Sequence, residues 1–329
     1  MPSIDPQEFL LGVNYPWVNY GQDFGRNPWG TGTDGVSSNS SIRSAIANDF
    51  SQIKAAGVTL VRWFLLCDGR SGLTVSNGIP TGPDDLLFAD VAAALELAQQ
   101  FGLRVCFSLL DFLWMQSRGQ EAAGLPNQDV LKFPVGREAL LQTVLIPLFT
   151  QFRGHPALYA WEIANEPEWA ISDFVASPKA QMKLDDFFAF AQEVCDAIRE
   201  YSQAPVTLGS ARLRWVRAWS DLALDFYQAH FYPSTEGGQN ADLATLLNDL
   251  NPQENLDQPL WLGELPAQTP VTPSYALGAA LDTCKAAGLS GAGVWRWRPP
   301  EPGGGDQSFG SADPLFLRDW LTRNGILEV

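Results

Sequence analysis

Histidine is nearly absent from this chain, with two residues in 329, and that scarcity removes much of the usual metal chemistry. His155 and His230 stand far apart. Cys67, Cys106, Cys195 and Cys284 are isolated, with no C-x-x-C pair and no histidine close by in sequence, so neither a zinc site nor a thioredoxin-like redox pair is spelled out. Buried thiols are the expectation, and no metal or organic cofactor is called for. Positive charge is also scarce: 21 Lys and Arg face 37 Asp and Glu, a formal charge of -16. Such a surface repels phosphate backbones and anionic lipid head groups, which argues against nucleic acid and membrane as partners. No apolar run reaches membrane-spanning length. The opening residues, Met1 to Asp5, lack a basic start followed by an apolar run and a cleavage site. The chain therefore reads as cytoplasmic, or as secreted with its leader removed. Oligomeric state is left open.

What the sequence has in quantity is apolar material, 46% of residues, and 12 Trp. The tryptophans serve either a core or flat platforms for sugar rings. Short β-rich runs alternate with helical patterns throughout, as expected of repeated βα units around a parallel sheet. The strand candidates are Phe9 to Tyr15, Val58 to Phe64, Leu103 to Leu110, Leu158 to Ala164, Pro205 to Gly209, Leu224 to His230, Leu260 to Gly263 and Gly291 to Trp295. Eight such units predict a (β/α)8 TIM barrel, read as one domain over residues 1–329 because no linker or composition step divides it.

Helical faces lie between the strands. Ile42, Ile46, Phe50 and Ile53 follow a Ser-rich cap and end at Gly57. Pro83 opens a second helix, with Asp84 and Asp85 complementing its dipole, Leu87, Val91, Leu95 and Ala98 on its face, and Gly102 as its stop. Leu184, Phe188, Ala191, Cys195 and Ile198 mark another, and Leu277, Leu281 and Cys284 a fourth. The fifth and sixth helices are the least legible. Long loops, Pro16 to Ser40 and Pro299 to Asp313, leave the carboxyl ends of strands one and eight, the face that carries chemistry in such barrels. Gly303, Gly304 and Gly305 read as loop, since no phosphate-binding pattern surrounds them.

Two carboxylates stand where strands leave that face. Strand four runs into Trp161-Glu162-Ile163-Ala164-Asn165-Glu166-Pro167 and strand seven into Leu260-Trp261-Leu262-Gly263-Glu264. Glu162, inside its run, needs a buried partner if it points inward. Glu166 and Glu264 approach one mouth from opposite sides, as glycosidic cleavage requires: one group protonates the departing oxygen and the other attacks or stabilises the anomeric carbon. A separation of about 5–5.5 Å implies retention and roughly 6.5–9.5 Å inversion.

With these motifs in register, nearly the entire chain resembles a clan A retaining glycoside hydrolase, most similar to the cellulase and β-mannanase group called family 5. The resemblance implies Glu166 as acid/base, kept protonated by the charge of Glu264, and Glu264 as nucleophile, with Asn165 contacting the sugar 2-hydroxyl. It further implies Arg62, in Val61-Arg62-Trp63-Phe64, as the group holding Glu264 ionised, and His230 and Tyr232 as contacts to sugar hydroxyls or the nucleophile. Trp295 corresponds to the floor of the cleaved sugar's subsite. Where that family commonly places a histidine after strand three, this chain has Ser108-Leu109-Leu110-Asp111-Phe112-Leu113-Trp114, so Asp111 or Trp114 must serve that corner.

The resemblance implies a β-linked gluco- or manno-configured oligosaccharide or glycoside as substrate. A cluster of Arg212, Arg214 and Arg217 leaves room for acidic groups. Trp17, Trp114, Trp169 and Trp297 are candidates for sugar stacking, with packing as the competing role. Arg62 has the competing role of pairing with Asp68 or another barrel-end acid, and His155, at the amino-terminal end of strand four, is expected to be structural. A non-catalytic carbohydrate-binding barrel and a neighbouring clan A family are the rival readings.

Overall fold

The computed structural model describes residues 9–27, 35–117, 125–237, 241–268, 275–298 and 309–327. Eight parallel strands close into a barrel: β1 (Leu10–Asn14), β2 (Leu60–Phe64), β3 (Arg104–Asp111), β4 (Leu158–Asn165), β5 (Val206–Ser210), β6 (Tyr227–His230), β7 (Leu260–Pro266) and β8 (Gly291–Trp295). Closure is made by β1, which pairs with both β2 and β8. All eight expected strands are present, and the fold is the (β/α)8 barrel. Residues 28–34 and 299–308 of the two long loops, Gly303 to Gly305 among them, lie outside the described residues. No described helix is long and apolar enough to cross a membrane.

The helices pack their apolar stripes against the strands, with local differences from the expected pattern. The helix Ser40–Ala55 buries Ile42, Ile46, Phe50 and Ile53 as expected, but its cap is Asn39, whose side chain accepts from the Ser41 and Ile42 amides. The next helix begins at Leu87, because Pro83 instead ends the second strand of a hairpin, Leu73–Ser76 with Ile79–Pro83. Its turn is Asn77-Gly78, both at positive φ, a dipeptide that favours tight hairpins. Asp84 Oδ1 then caps the helix through the Leu86 and Leu87 amides. On Leu184–Tyr201 the buried face is rotated toward Phe187, Phe190 and Val194, leaving Leu184 and Phe188 half-buried. Phe187 packs edge-on against Trp219 at 5.4 Å, which draws the helix round. After β5 the connection is a 3-10 segment, Leu213–Trp219, and after β6 come short helices, Pro233–Glu236 and Leu243–Leu250.

Two bulges decide which side chains enter the barrel. Between Glu162 and Asn165, β4 advances three residues while β5 advances two, from Thr207 to Gly209. Strict alternation would put Glu162 and Asn165 on opposite faces; the extra residue brings both inward. On β7, Leu262 pairs with Ala229 and Glu264 with His230, so Gly263 is the extra residue that sets Glu264 beside His230. Glycines make room for the polar layer inside. A Cβ at Gly209 would lie 2.8 Å from both Glu162 Oε1 and Gln228 Nε2, and one at Gly263 would lie 2.6 Å from the Gln228 side chain. Gly209→Ala is therefore expected to force these groups apart and destabilise the protein by about 1–3 kcal/mol. A thermal melt reads this directly, and an unchanged Tm would show that the layer yields freely.

Candidate active site

Arg62 rises from β2 into the barrel and is fully buried. A guanidinium offers five N–H donors, and here each has an acceptor. Nε donates to Glu162 Oε2 at 2.6 Å, and Nη2 to Glu162 Oε1 at 2.6 Å and Asn165 Oδ1 at 2.7 Å. Nη1 donates to Asn14 Oδ1 at 2.9 Å and Glu264 Oε1 at 2.7 Å. Glu162 is completed by Ser108 Oγ at 2.8 Å and Gln228 Nε2 at 2.7 Å. The partner that Glu162 required is thus Arg62, while Asp68 pairs with Arg70. Burial works against the charge on Arg62, yet Glu162 and Glu264 hold it protonated more firmly than usual. Burial likewise pushes Glu162 up, but Arg62 and the Gln228 donor more than offset it and keep Glu162 below the ordinary range.

Above this layer lie the two rim carboxylates. Glu264 Oε2 accepts from the Tyr232 hydroxyl at 2.7 Å. Glu166 Oε2 accepts from Trp169 Nε1 at 2.8 Å. His230 Nδ1 lies 2.8 Å from Glu166 Oε1 and 3.5 Å from Glu264 Oε1, and one carboxylate oxygen of each Glu falls within 4.8 Å of the other and of the ring. Burial pushes Glu264 above the usual carboxylate range, the charge of Glu166 adding to it against His230, Arg62 and Tyr232. Burial also holds His230 down at about 4, so the ring is neutral at pH 7. These three residues are close enough to offer ligand atoms to one cation. Arg62, 2.7 Å from Glu264, already supplies the positive charge there, which disfavours a second cation on the same oxygen.

A cleft of about 300 Å³ opens over the pair. Trp17, Tyr20, Phe64 and Trp295 form one packed wall of it, and Asp111, Asn165, Trp169, Tyr232 and Thr235 also line it. Trp17 meets Tyr20, Phe64 and Trp295 edge-on at 4.7, 5.7 and 6.5 Å, a packing that fixes the rings as a rigid wall. Of the candidate site residues, Glu166, Glu264, Asn165, Tyr232, Trp295, Asp111, Trp17 and Trp169 line the cleft. Arg62 and His230 lie just beneath and touch the carboxylates.

Trp114 and Trp297 do not belong with them. Trp114 is fully buried under Gly69 and Trp297 sits in the core, so both are packing residues. The corner after β3 is filled by Asp111, which accepts from Asn165 Nδ2 at 2.9 Å and caps the Leu113 amide. Arg212 lies between Trp169 and Trp215, 4.8 and 4.3 Å from the ring centres, and Arg214 approaches Glu236. Among the described residues, none that lines the cleft is Lys or Arg. His155 stays near the amino-terminal barrel end, its Nδ1 accepting from the Ala157 amide, and the four cysteines are free and buried.

The sequence reading passed over Tyr20, Phe64, Phe309, Asn14 and Gln228. For the last two a signal existed, a polar residue inside an otherwise apolar strand run; the aromatics gave none beyond their type. Burial pushes Asp111 from 3.8 up to about 7. Its folded value exceeds the unfolded one, so its stabilisation is whole below about pH 4 and is lost as pH rises through about 7. Asp111→Asn removes that titration, and calorimetry across this window should show a shallower fall in Tm; an unaltered slope would assign the titration to another group.

No family model matches the chain. A mannan endo-1,4-beta-mannosidase of Mytilus edulis is 32% identical over 164 residues, 50% of this chain and 41% of that relative. The chain spans less than half the length of the curated relatives it matches. The crystal structure of an endo-1,4-beta-mannanase from Eisenia fetida superposes with a TM-score of 0.73 at 24% identity, covering 95% of this chain and 91% of the other. That of a beta-1,4-D-mannanase from Cryptopygus antarcticus gives 0.76 at 20% identity, covering 95% and 90%. These two structures share its fold. Over half its length the chain is similar in sequence to a mannan endo-1,4-beta-mannosidase, and over nearly all of it the barrel fold is shared with the cellulase and β-mannanase group.

Proposed function

We propose that this chain is a retaining β-glycoside hydrolase acting on β-1,4-linked, manno-configured chains, with residues 1–329 serving as one catalytic domain. The approach of Glu166 and Glu264, with oxygens inside 4.8 Å of each other, carries the reading. Inversion requires room for a water between sugar and base and carboxyls roughly 6.5–9.5 Å apart; a pair this close instead fits direct attack on the anomeric carbon. Glu166 donates its proton to the leaving oxygen while Glu264 attacks, forming a glycosyl-enzyme. Glu166 then takes a proton from water, which releases the sugar with its configuration retained. Arg62 and Tyr232 each place a donor on Glu264, so they orient the attacking oxygen and stabilise its charge as it departs again.

The aromatic walls and the lack of a Lys or Arg among the described residues that line the cleft suit a neutral sugar. The preference for mannose over glucose follows the relatives, which are named as mannanases. Asn165, held between Arg62 and Asp111, would present its amide to the 2-hydroxyl.

Glu264→Ala should abolish turnover of β-1,4-manno-oligosaccharides and be rescued by azide with inverted product. Glu166→Ala should spare kcat/KM for substrates with good leaving groups. Equal, unrescuable loss in both would contradict the assigned roles. Because Glu264 must be ionised to attack and burial raises it above 4.5, the acidic limb of kcat/KM against pH should lie above that value. A limb below it would show that Glu264 is not the group titrating.

A further inference from the structure

The residue two places after Glu166 has no part in the chemistry above, yet it is completely buried and bound on three sides. Glu168 Oε1 accepts from Ser210 Oγ at 2.5 Å and from Trp219 Nε1 at 2.8 Å, and its Oε2 accepts from the Ala211 amide at 3.0 Å. Ser210 ends β5, Ala211 follows it, and Trp219 closes the 3-10 segment beyond. The carboxylate therefore ties the turn Pro167–Ala170 to the neighbouring strand and to the segment behind it.

That turn holds the proposed acid/base in an unfavourable conformation. Glu166 has φ 49° and ψ 46°, in the left-handed region, which is unfavourable for a non-glycine residue and persists only where the surroundings impose it. Its amide donates to the Gly209 carbonyl at 2.7 Å, and the Trp169 amide donates back to the Glu166 carbonyl at 3.2 Å. Trp169, adjacent to Glu168, also carries the indole N–H that holds Glu166 Oε2. Fixing Glu168 thus fixes both the backbone of Glu166 and the donor on its carboxyl. A buried carboxylate left without its donors is costly, so the turn has one strongly preferred seat. A hydrophobic anchor could bury as much surface, but only directional bonds specify the rotation of the turn.

We propose that Glu168 is a positioning residue for acid/base catalysis: it locks the Pro167–Ala170 turn on β5 so that Glu166 meets the leaving oxygen. The proposal rests on the glycosidase reading above. It implies an effect confined to steps in which Glu166 moves a proton. An aryl β-mannoside with a strongly acidic phenol leaves without protonation, whereas a β-1,4-manno-oligosaccharide needs the proton.

The test compares kcat/KM on these two substrates for Glu168→Gln, Ser210→Ala and Trp219→Phe, with Tm measured alongside. Glu168→Gln should lower kcat/KM on the oligosaccharide at least about tenfold and leave the activated aryl mannoside within about twofold of wild type. Ser210→Ala and Trp219→Phe each remove one donor while keeping the carboxyl, and should show the same asymmetry more weakly. Equal losses on both substrates, or a fall in Tm with no asymmetry, would reduce Glu168 to a structural anchor and overturn the proposal. If Glu168→Gln does not fold, the two donor variants decide the matter alone, and symmetric or absent effects in both overturn it. Wild-type protein inactive on both substrates would instead defeat the glycosidase reading itself.

Discussion

The site depends on one buried guanidinium whose every N–H is spoken for. Arg62 joins β1, β2, β4 and β7 through Asn14, Glu162, Asn165 and Glu264. Inside a barrel, where the dielectric is low, such a network is strong when complete and costly when broken, because any lost partner leaves a charge uncompensated. Arginine suits the place better than lysine, since its planar fork can hold Glu162 with two bonds and still address Glu264 with a third. The glycines at 209 and 263 belong to the same constraint: the layer fits only because those strands carry no side chain there.

Charge is distributed within this layer with a chemical consequence. Burial, with the charge of Glu166 added, keeps Glu264 above the ordinary carboxylate range despite its guanidinium contact, while Arg62 holds Glu162 below that range. In the proposed mechanism, a carboxylate held in place but not overstabilised is the better nucleophile. His230, neutral through burial, stands between the two rim carboxylates without adding a formal charge. The aromatic wall above supplies apolar surface.

Much of this was legible from sequence for reasons that can be traced to particular residues. Largely apolar runs such as Leu103 to Leu110 and Leu158 to Ala164 form strands because their branched and aromatic side chains pack on both faces of a buried parallel sheet. The rim carboxylates were visible because each closes such a run. Less legible were elements whose form depends on neighbours. Pro83 suits a first helical turn equally well, but the Asn77-Gly78 turn pairs it into a hairpin. Trp114 and Trp297 carry the same residue type as Trp17 and Trp169; only their depth separates packing from cleft.

The sequence by itself determined the barrel, the strand ends that bear Glu166 and Glu264, and the presence of Arg62 and His230 at the same face, because periodicity and composition act locally and repeat eight times. Tertiary structure alone decided which of these side chains meet. The extra residues on β4 and β7 turn Asn165 inward beside Glu162 and bring Glu264 level with His230. A bulge arises from the register between two strands distant in the chain, and no local pattern of residues records it.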